Sequence, residues 1–326
     1  MKAIDPKNGD IVAIKRVKVF NSSQSLPQSF YRETSNLQHL KHENIINLRE
    51  VFRPSNSNVP YMVFDYCEFD LDGLIHNRYS NGLDNKTVKS YFKQILTAVK
   101  FCHDNNIIHR DLKPSNIFVT RDNVVKLGDF GLSRDLSKGS PRMTLNVVTP
   151  GYRAPELILG NSEYDTSSDI WSLGTILFEM ITGVPLFKPL TSSDISQLAS
   201  IVFVMGKPNP DEISPKCANS NILNMVSRTS GVPFEDFLRE NLQGEAAAAI
   251  PLIFSMLRYN PEERISIEEA LCSSFFDDED MFKLPQIPFA ETHSINIRND
   301  YATICAPVIS SPMRPLRVQL VPISVA

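Results

Sequence analysis

Cysteine and glycine are both scarce in this sequence of 326 residues, which contains 13 glycines against 22 prolines. The cysteines are scattered, odd in number and never spaced as a C-x-x-C pair: Cys67, Cys102, Cys217, Cys272 and Cys305. Such a set is typical of reduced intracellular thiols and argues against a disulfide framework or a zinc site.

The sequence also lacks the segments that mark secreted, membrane-spanning or polybasic proteins. Its first ten residues contain no apolar core of a signal peptide. Its most apolar long stretch, residues 174–187, is interrupted by Glu179 and is too short to span a bilayer. The 33 Lys and Arg against 37 Asp and Glu give a net charge of −4, which excludes nucleic-acid binding driven by net positive charge. We therefore expect an intracellular protein that contacts neither a membrane nor nucleic acid directly.

The order of the predicted elements indicates an α+β fold with two unequal lobes. Residues 1–66 alternate apolar and polar side chains as strands do, with one helical spacing near 30–40. Within them, the pair Asn8-Gly9 predicts a type I′ hairpin turn. Helical patterns dominate afterwards, and strands followed by helices are typical of α+β architecture. We expect three parts: a sheet-containing lobe over 1–66, a mainly helical lobe over 67–277, and an irregular C-terminal extension over 278–326.

Five short motifs occur in one order along the chain. VAIK at 12–15 ends a predicted strand, and Glu33 lies on the helix that follows. HRDLKPSN at 109–116 lies between a helix and a strand, DFG at 129–131 follows the next strand, and APE stands at 154–156. One such triplet is a weak signal, but this set in this order is the signature of protein kinases.

Phosphoryl transfer depends mainly on positioning and on neutralising charge, and the residues of these motifs are suited to both tasks. Lys15 can pair with the α- and β-phosphates of ATP, while Glu33 can hold its ammonium group in place. Asp129 offers carboxylate oxygens to Mg²⁺, and Asn116 can bind a second metal ion through a neutral oxygen.

The HRD loop supplies the groups expected to act on the substrate. Asp111 can accept the hydrogen bond of a substrate hydroxyl and orient it, and Lys113 can stabilise the transferring phosphoryl group. Taken singly, each motif residue has an ordinary explanation: Lys15 at a strand edge, Glu33 as a solvated helix residue, Asp129 in a turn. Their joint occurrence favours catalysis.

Over residues 1 to 277 the chain resembles the cyclin-dependent branch of the eukaryotic protein kinases. The run PQSFYRE at 27–33 resembles that branch's PSTAIRE-type helix, and DIWSLG at 169–174 resembles its next signature helix. NPEER at 260–264 resembles the segment whose arginine pairs with the APE glutamate, here Glu156.

This resemblance implies a Ser/Thr kinase that uses ATP and Mg²⁺, is bound by a cyclin-type subunit, and works in the nucleus or also in the cytoplasm. Two stretches, 40–48 and 63–68, are most similar to transcription-elongation kinases, which phosphorylate the C-terminal domain of RNA polymerase II. That domain is therefore a candidate substrate, and Ser/Thr-Pro is the expected target sequence.

The resemblance also implies where the adenosine part of ATP binds. Four apolar side chains would form the walls around the base: Ala13, Ile46, Phe64 and Phe118. Backbone groups of Asp65 and Cys67 would bond the adenine, and Asp70 could reach the ribose. Plain core packing explains the apolar residues equally well, since a ligand pocket of this kind continues the core.

Three arginines form a second group that the kinase fold would bring together: Arg32, Arg110 and Arg134. Such a cluster requires an anion, and Thr144 stands at the position of the activating threonine, where a separate kinase would phosphorylate it. Alternatively, Thr144 is an ordinary loop residue and nearby carboxylates satisfy the arginines.

Two departures from the family affect function. No G-x-G-x-x-G is present and Met1 falls inside the expected second strand, so the first strand and the Gly-rich loop are missing. We expect a misassigned start rather than a decayed enzyme, because the downstream catalytic residues are intact. The alternative is a weakly active, pseudokinase-like scaffold that binds a cyclin or a substrate. Second, Pro150-Gly151 replaces the usual Leu-Trp, although Arg153 is retained.

Overall fold

The computed structural model describes most of the chain, in segments separated by short gaps: residues 1–18, 26–54, 59–79, 81–137, 149–163, 165–214, 216–217, 219–226, 232–277, 284–294 and 321–322. In these segments the strands are β1 (Lys2–Ile4), β2 (Ile11–Arg16), β3 (Leu48–Arg53), β4 (Tyr61–Asp65), β5 (Phe69–Asp70), β6 (Ile107–Ile108), β7 (Ile117–Val119), β8 (Val125–Leu127), β9 (Arg134–Asp135) and β10 (Val321–Pro322). The helices are α1 (Gln28–His39), α2 (Leu71–Asn77), α3 (Asn85–Asp104), α4 (Pro155–Ile158), α5 (Ser167–Thr182), α6 (Asp194–Met205), α7 (Phe234–Asn241), α8 (Ile250–Met256) and α9 (Ile267–Leu271).

The N-terminal lobe is built on an antiparallel sheet with the strand order β1-β2-β4-β3-β10. Its central strand β4 is buried on both faces, because Met62 and Phe64 join the main core while Val63 joins a small cluster with Val12 and Phe52. The rest of the chain is mainly helical, which confirms the predicted two-lobed α+β kinase fold.

The hairpin that joins β1 to β2 differs from its prediction. Gly9 has a φ of 79°, but Asn8 has no positive φ, and a type I′ turn requires one at both central residues. The predicted type I′ turn is therefore wrong. Instead the connection is wider: Asp5 accepts a hydrogen bond from the backbone N–H of Gly9, and the side chain of Asn8 accepts one from Asp10 N.

Helix α1 packs against the segment that follows the DFG triplet. Its buried face includes Phe30, Glu33 and Leu37, and Asn36 Nδ2 donates a buried hydrogen bond of 2.7 Å to Ser133 Oγ. This contact fixes the helix so that Glu33 points toward the interior of the site.

Helix α5 is the central element of the helical lobe. It is buried almost along its length, including Trp171, and packs against α8, where a Cβ on Gly174 would lie 2.9 Å from Leu257 Cγ. Glycine at this position therefore permits the close approach. The four cysteines in the described segments are free thiols, and no described helix has the length and apolarity needed to cross a bilayer.

Candidate active site

The HRD loop, which follows β6, is held in place by a buried carboxylate on α5. Asp169 accepts backbone hydrogen bonds from His109 N at 2.9 Å and Arg110 N at 3.0 Å. Although burial acts to raise the pKa of Asp169, the hydrogen bond and charge of His103 lower it below its usual value. Arg110 has a φ of 67°, an unfavourable conformation for a side chain of this size, and these bonds maintain it.

Asp111 lies at the centre of a small polar network. Its Oδ2 accepts a hydrogen bond from Asn116 Nδ2 at 2.9 Å and lies 2.9 Å from Lys113 Nζ. Its Oδ1 accepts hydrogen bonds from the backbone N–H of Thr149 at 3.2 Å and from its hydroxyl at 3.0 Å. The carboxylate is thus fixed in position and stays beside a cation.

Thr149 is a member of this network that the sequence analysis missed. Lys113 Nζ donates to its Oγ1 at 2.7 Å, so one hydroxyl joins the two residues expected to act on the substrate. The available signal was its place six residues before the proline of APE, in the run TPGYRAP. The sequence shows no partner for it, because Asp111 is 38 residues away.

The two residues expected to bind metal are held side by side by β7 and β8, which pair from Ile117↔Leu127 to Val119↔Val125. The backbone N–H of Gly128 donates to Asn116 O at 2.9 Å, which places Asp129 next to Asn116. Asn116 donates from its side-chain Nδ2 to Asp111, and its side-chain oxygen Oδ1 makes no hydrogen bond among the described residues. This set of two oxygen donors fits a hard divalent cation.

Lys15 joins the two lobes by ionic contacts. Its Nζ lies 2.8 Å from Glu33 Oε1 and 3.0 Å from Asp129 Oδ1. Burial opposes its charge, but the two carboxylates raise the pKa of Lys15 above its usual value. Burial raises the pKa of Glu33 above its usual value, although the charge and hydrogen bond of Lys15 act to lower it. Burial acts to raise the pKa of Asp129, but the charge and hydrogen bond of Lys15, together with the charges of His109 and Lys113, lower it below its usual value. The pair between Lys15 and Glu33 is thus formed in this structure.

The residues expected around adenine lie in one apolar region between the lobes. Ala13 on β2 lies opposite Phe64 on β4 in the antiparallel pairing of these strands. Both residues belong to the core region that also contains Ile46 and Cys67. Phe118 packs on Gly128, where a Cβ would lie 2.6 Å from its ring. The backbone of Asp65 and Cys67 follows at the edge of this region, so the geometry suits a planar base.

Asp70, expected at the ribose, lies in a different environment. Its Oδ1 caps α2 by accepting a 2.6 Å hydrogen bond from Gly73 N, and its Oδ2 accepts hydrogen bonds from the backbone and hydroxyl of Ser294. The residue is only 1% exposed. Burial raises the pKa of Asp70 above its usual value, although these bonds oppose the shift.

The three arginines of the predicted phosphate-binding group lie close together. The pKa of Arg32 is lowered by burial and by the positive charges of Arg110 and Arg134, so the three guanidinium groups repel one another. Arg110 Nε donates to Leu132 O at 2.7 Å, and pairing of Ile108 with Arg134 brings β9 beside the HRD loop. Thr144 lies outside the described residues.

The predicted pair between the APE glutamate and the arginine of NPEER is present. Arg264 donates from Nη1 and Nη2 to the two oxygens of Glu156, at 2.8 and 2.6 Å. Both side chains are almost fully buried. This bidentate contact ties α4, and with it the segment that ends in APE, to the C-terminal helices.

Comparison with known proteins agrees with this geometry. The sequence profile of the protein kinase domain matches residues 1–276. The chain belongs to the protein kinase family. Cell division control protein 2 homolog 3 of Trypanosoma brucei brucei is 39% identical over 279 residues, covering 85% of this chain and 87% of the relative. Homolog 1 from the same organism is 35% identical over 288 residues, covering 85% and 93%.

These similarities place the kinase in the cyclin-dependent branch and make it a Ser/Thr protein kinase of that type, as the motifs predicted. Protein kinases use ATP and a divalent metal ion. Kinases of this branch in general bind a cyclin and protein substrates.

Proposed function

We propose that this kinase transfers the γ-phosphate of ATP to a Ser or Thr hydroxyl of a protein substrate, and that Asp111 aligns that hydroxyl. The observation that carries the proposal is the network around Asp111, whose two oxygens are held by Thr149, Lys113 and Asn116. A hydroxyl that donates to this carboxylate is oriented for attack and can pass its proton there.

Lys113 supplies positive charge where negative charge moves. Its Nζ lies beside both Asp111 Oδ2 and Thr149 Oγ1. The ammonium group can therefore bond a phosphoryl oxygen while it stays next to these two residues. The role of Asp111 is to align the hydroxyl, and strong basicity is not required for this. Catalysis then rests on preorganised charge and position.

Lys15 and Glu33 position the nucleotide. The ammonium of Lys15 is anchored by Glu33 and Asp129, and we assign it to the α- and β-phosphates. Asn116 and Asp129 are assigned to Mg²⁺, which when bound would neutralise phosphate charge. The apolar region bounded by Ala13, Ile46, Phe64 and Phe118 would hold adenine.

Regulation in this proposal has two parts. A cyclin-type subunit binds the surface that includes α1 and stabilises the Lys15–Glu33 pair. A separate kinase phosphorylates Thr144, because the following Leu145 is not the proline that this enzyme class prefers. The phosphate would bind the arginine group, whose mutual repulsion at Arg32 supports an anion there.

We further propose Ser/Thr-Pro as the target sequence and the C-terminal domain of RNA polymerase II as a candidate substrate, with the kinase in the nucleus. Arg153 supports this preference: it is retained, and its Nη1 lies 2.6 Å from Asp194 Oδ1 on α6, which ties the expected substrate-binding segment to that helix.

Asp111→Asn tests the proposal. The variant should lose phosphoryl transfer to a Ser-Pro peptide, because the amide no longer accepts the proton. Its ATP affinity should change little, since Asp111 is assigned to the hydroxyl. Asp129→Asn should weaken Mg²⁺-dependent ATP binding as well. Transfer is measured with cyclin bound, and ATP affinity by calorimetry.

The matched control is Asp104→Asn, the same substitution at an exposed residue whose one ion pair within the described segments is with Lys100, and it should behave as the unmodified protein does. Wild-type turnover in the Asp111→Asn variant would disprove the assignment of the loop. Nucleotide binding without any transfer by the unmodified protein, over a panel of Ser/Thr peptides, would support the scaffold alternative instead.

A further inference from the structure

Residues 284–294 follow the helical lobe and run along the connection between the lobes. Three backbone hydrogen bonds hold this C-terminal segment: Ile287 N donates to Arg121 O at 3.0 Å, Thr292 N donates to Glu68 O at 3.1 Å, and Asp70 N donates to Thr292 O at 3.3 Å. Thr292 also forms a parallel bridge with Phe69. The segment is therefore held in an extended form beside residues 66–70, which join the two lobes.

Side chains of the helical lobe fix the same segment along its length. Arg121 Nη1 donates to the carbonyl oxygens of Ile287 and Phe289, at 2.9 and 3.1 Å. Arg78 donates to Thr292 Oγ1 at 3.0 Å, and Ile287 is buried. Several hydrogen bonds, and not a single contact, therefore hold the segment in place.

The last described residues of the segment reach the groups assigned to adenosine. Ser294 donates from its backbone N–H and its hydroxyl to Asp70 Oδ2, at 2.8 and 3.0 Å. His293 Nε2 donates to the carbonyl oxygen of Cys67 at 3.0 Å. Asp70 and Cys67 are the residues expected to bond the ribose and the base, so the segment uses the same polar groups as the nucleotide.

Glu291 extends these contacts to the N-terminal lobe. Its Oε2 accepts a hydrogen bond from Tyr66 OH at 2.8 Å, and its Oε1 lies 2.5 Å from Lys2 Nζ on β1. The contact with Lys2 lowers the pKa of Glu291 below its usual value. The segment thus bridges both lobes at the opening of the adenosine region.

The packing at Gly73 shows how closely the segment approaches α2. A Cβ on Gly73 would lie 3.1 Å from Thr292 O and 3.2 Å from the carbonyl carbon of His293. Glycine in a helix is otherwise less favourable than alanine by about 1 kcal/mol, so this residue is explained by the close approach. The same close packing leaves Asp70 only 1% exposed, so a ribose hydroxyl cannot reach its carboxylate while Ser294 is bound.

We propose that residues 291–294 are an internal competitor of the nucleotide ribose at Asp70. While Ser294 bonds Asp70, bound ATP has no contact between its ribose and this carboxylate. To gain that contact, ATP must displace the segment. When the segment is released, Asp70 reads the ribose hydroxyls. The segment therefore sets both the affinity for ATP and the discrimination between ribose and deoxyribose. This proposal rests on the proposed function through the assignment of Asp70 to the ribose.

Two full-length variants release the segment by independent routes. Ser294→Pro removes the backbone donor and the hydroxyl that bond Asp70. Gly73→Ala adds a Cβ that would lie 3.1 Å from Thr292 O and 3.2 Å from the carbonyl carbon of His293, but also 3.1 Å from Asp70 Oδ1, so only Ser294→Pro leaves Asp70 itself untouched. Calorimetric titrations with ATP and with 2′,3′-dideoxy-ATP, both in Mg²⁺, measure the effect. The ratio of the ATP affinity to the 2′,3′-dideoxy-ATP affinity should rise at least about threefold in each variant, because only ATP has hydroxyls to bond Asp70. Release of Cys67 O from His293 affects both nucleotides alike, since both contain adenine.

A control substitution and a second-site variant complete the design. Gln286→Ala alters the same segment at a residue whose side chain donates a hydrogen bond to Asp122 rather than to the groups assigned to adenosine, and its two affinities should match those of the unmodified protein. Hydroxyls that bond a carboxylate should favour ATP over 2′,3′-dideoxy-ATP by about tenfold. Asp70→Asn in the Ser294→Pro background should remove this gained preference, because the amide nitrogen does not accept hydrogen bonds. An unchanged ratio of the two affinities in both release variants would overturn the proposal.

Hydrogen exchange on the unmodified protein tests the same idea if the variants do not fold. The amides of Thr292 and Ser294 should be protected without nucleotide and should exchange faster with saturating ATP but not with 2′,3′-dideoxy-ATP. Equal protection under all conditions would contradict the competition. If Lys15→Met nevertheless loses ATP binding, the kinase assignment stands. Failure of the competition can therefore be distinguished from failure of the proposed function.

Discussion

The buried pair between Arg264 and Glu156 offers a strong test of how this kinase is stabilised. Their side chains are 0% and 2% exposed, and the guanidinium also donates to Arg258 O and Ser167 O. Arg264→Leu would leave the carboxylate of Glu156 buried without its cation. Breaking a buried pair from one side costs about 3–5 kcal/mol.

The chain contains a matched control with the same short distance. Arg239 Nη2 lies 2.6 Å from Glu235 Oε1, as Arg264 Nη2 does from Glu156 Oε2, but its side chains are 63% and 46% exposed. Because exposed pairs contribute only about 0–1 kcal/mol, Arg239→Leu should have a small effect. Burial, not distance, therefore distinguishes the two substitutions.

Thermal unfolding followed by circular dichroism at pH 7 measures the difference. For a domain of this size Arg264→Leu should lower the Tm by about 10 °C, and Arg239→Leu by only about 1–2 °C. A Glu156→Leu/Arg264→Leu double variant should recover part of the stability, since no buried charge remains. Equal Tm shifts for the two single variants would refute this reasoning.

Three further predictions concern pH, activation and backbone conformation. Burial raises the pKa of Glu179 to about 7, so the folded state binds a proton more tightly than the unfolded chain does. Stability should fall as pH rises from about 5 to 8, by about 3 kcal/mol at most, and denaturant titrations of Glu179→Gln should lack most of this dependence. Thr144→Ala should lower the rate of peptide phosphorylation with cyclin bound but barely change ATP affinity; equal turnover for phosphorylated wild type and Thr144→Ala would exclude a phosphothreonine switch. Gly82→Ala should destabilise the fold by more than about 1 kcal/mol, because Gly82 has a φ of 85° and a Cβ would lie 2.0 Å from Ile181 O; an unchanged denaturation midpoint would contradict the observed turn.

The chemistry of the site could be predicted because it depends on residue types in a fixed order. Lys15, Glu33 and Asp129 were singled out by their motifs alone, and the structure places Lys15 Nζ within 3.0 Å of a carboxylate oxygen of each of the other two. The long helices could be predicted for a related reason, since their apolar spacing is local. Helix α5 (Ser167–Thr182) lies in the part of the chain where helical patterns dominate the sequence. Neither inference required knowledge of how distant segments pack.

Other features depend on contacts that no local pattern reveals. The sequence indicates only an irregular extension after residue 277, whereas the fold brings Ser294 onto Asp70, 224 residues earlier in the chain. Thr149 was missed because its partner Asp111 lies on another loop. A side chain's type and sequence neighbours determine what chemistry it can perform. Which distant donor meets a buried carboxylate such as Asp70 is decided only when the whole chain packs, because burial and hydrogen bonding there are satisfied by residues from separate segments.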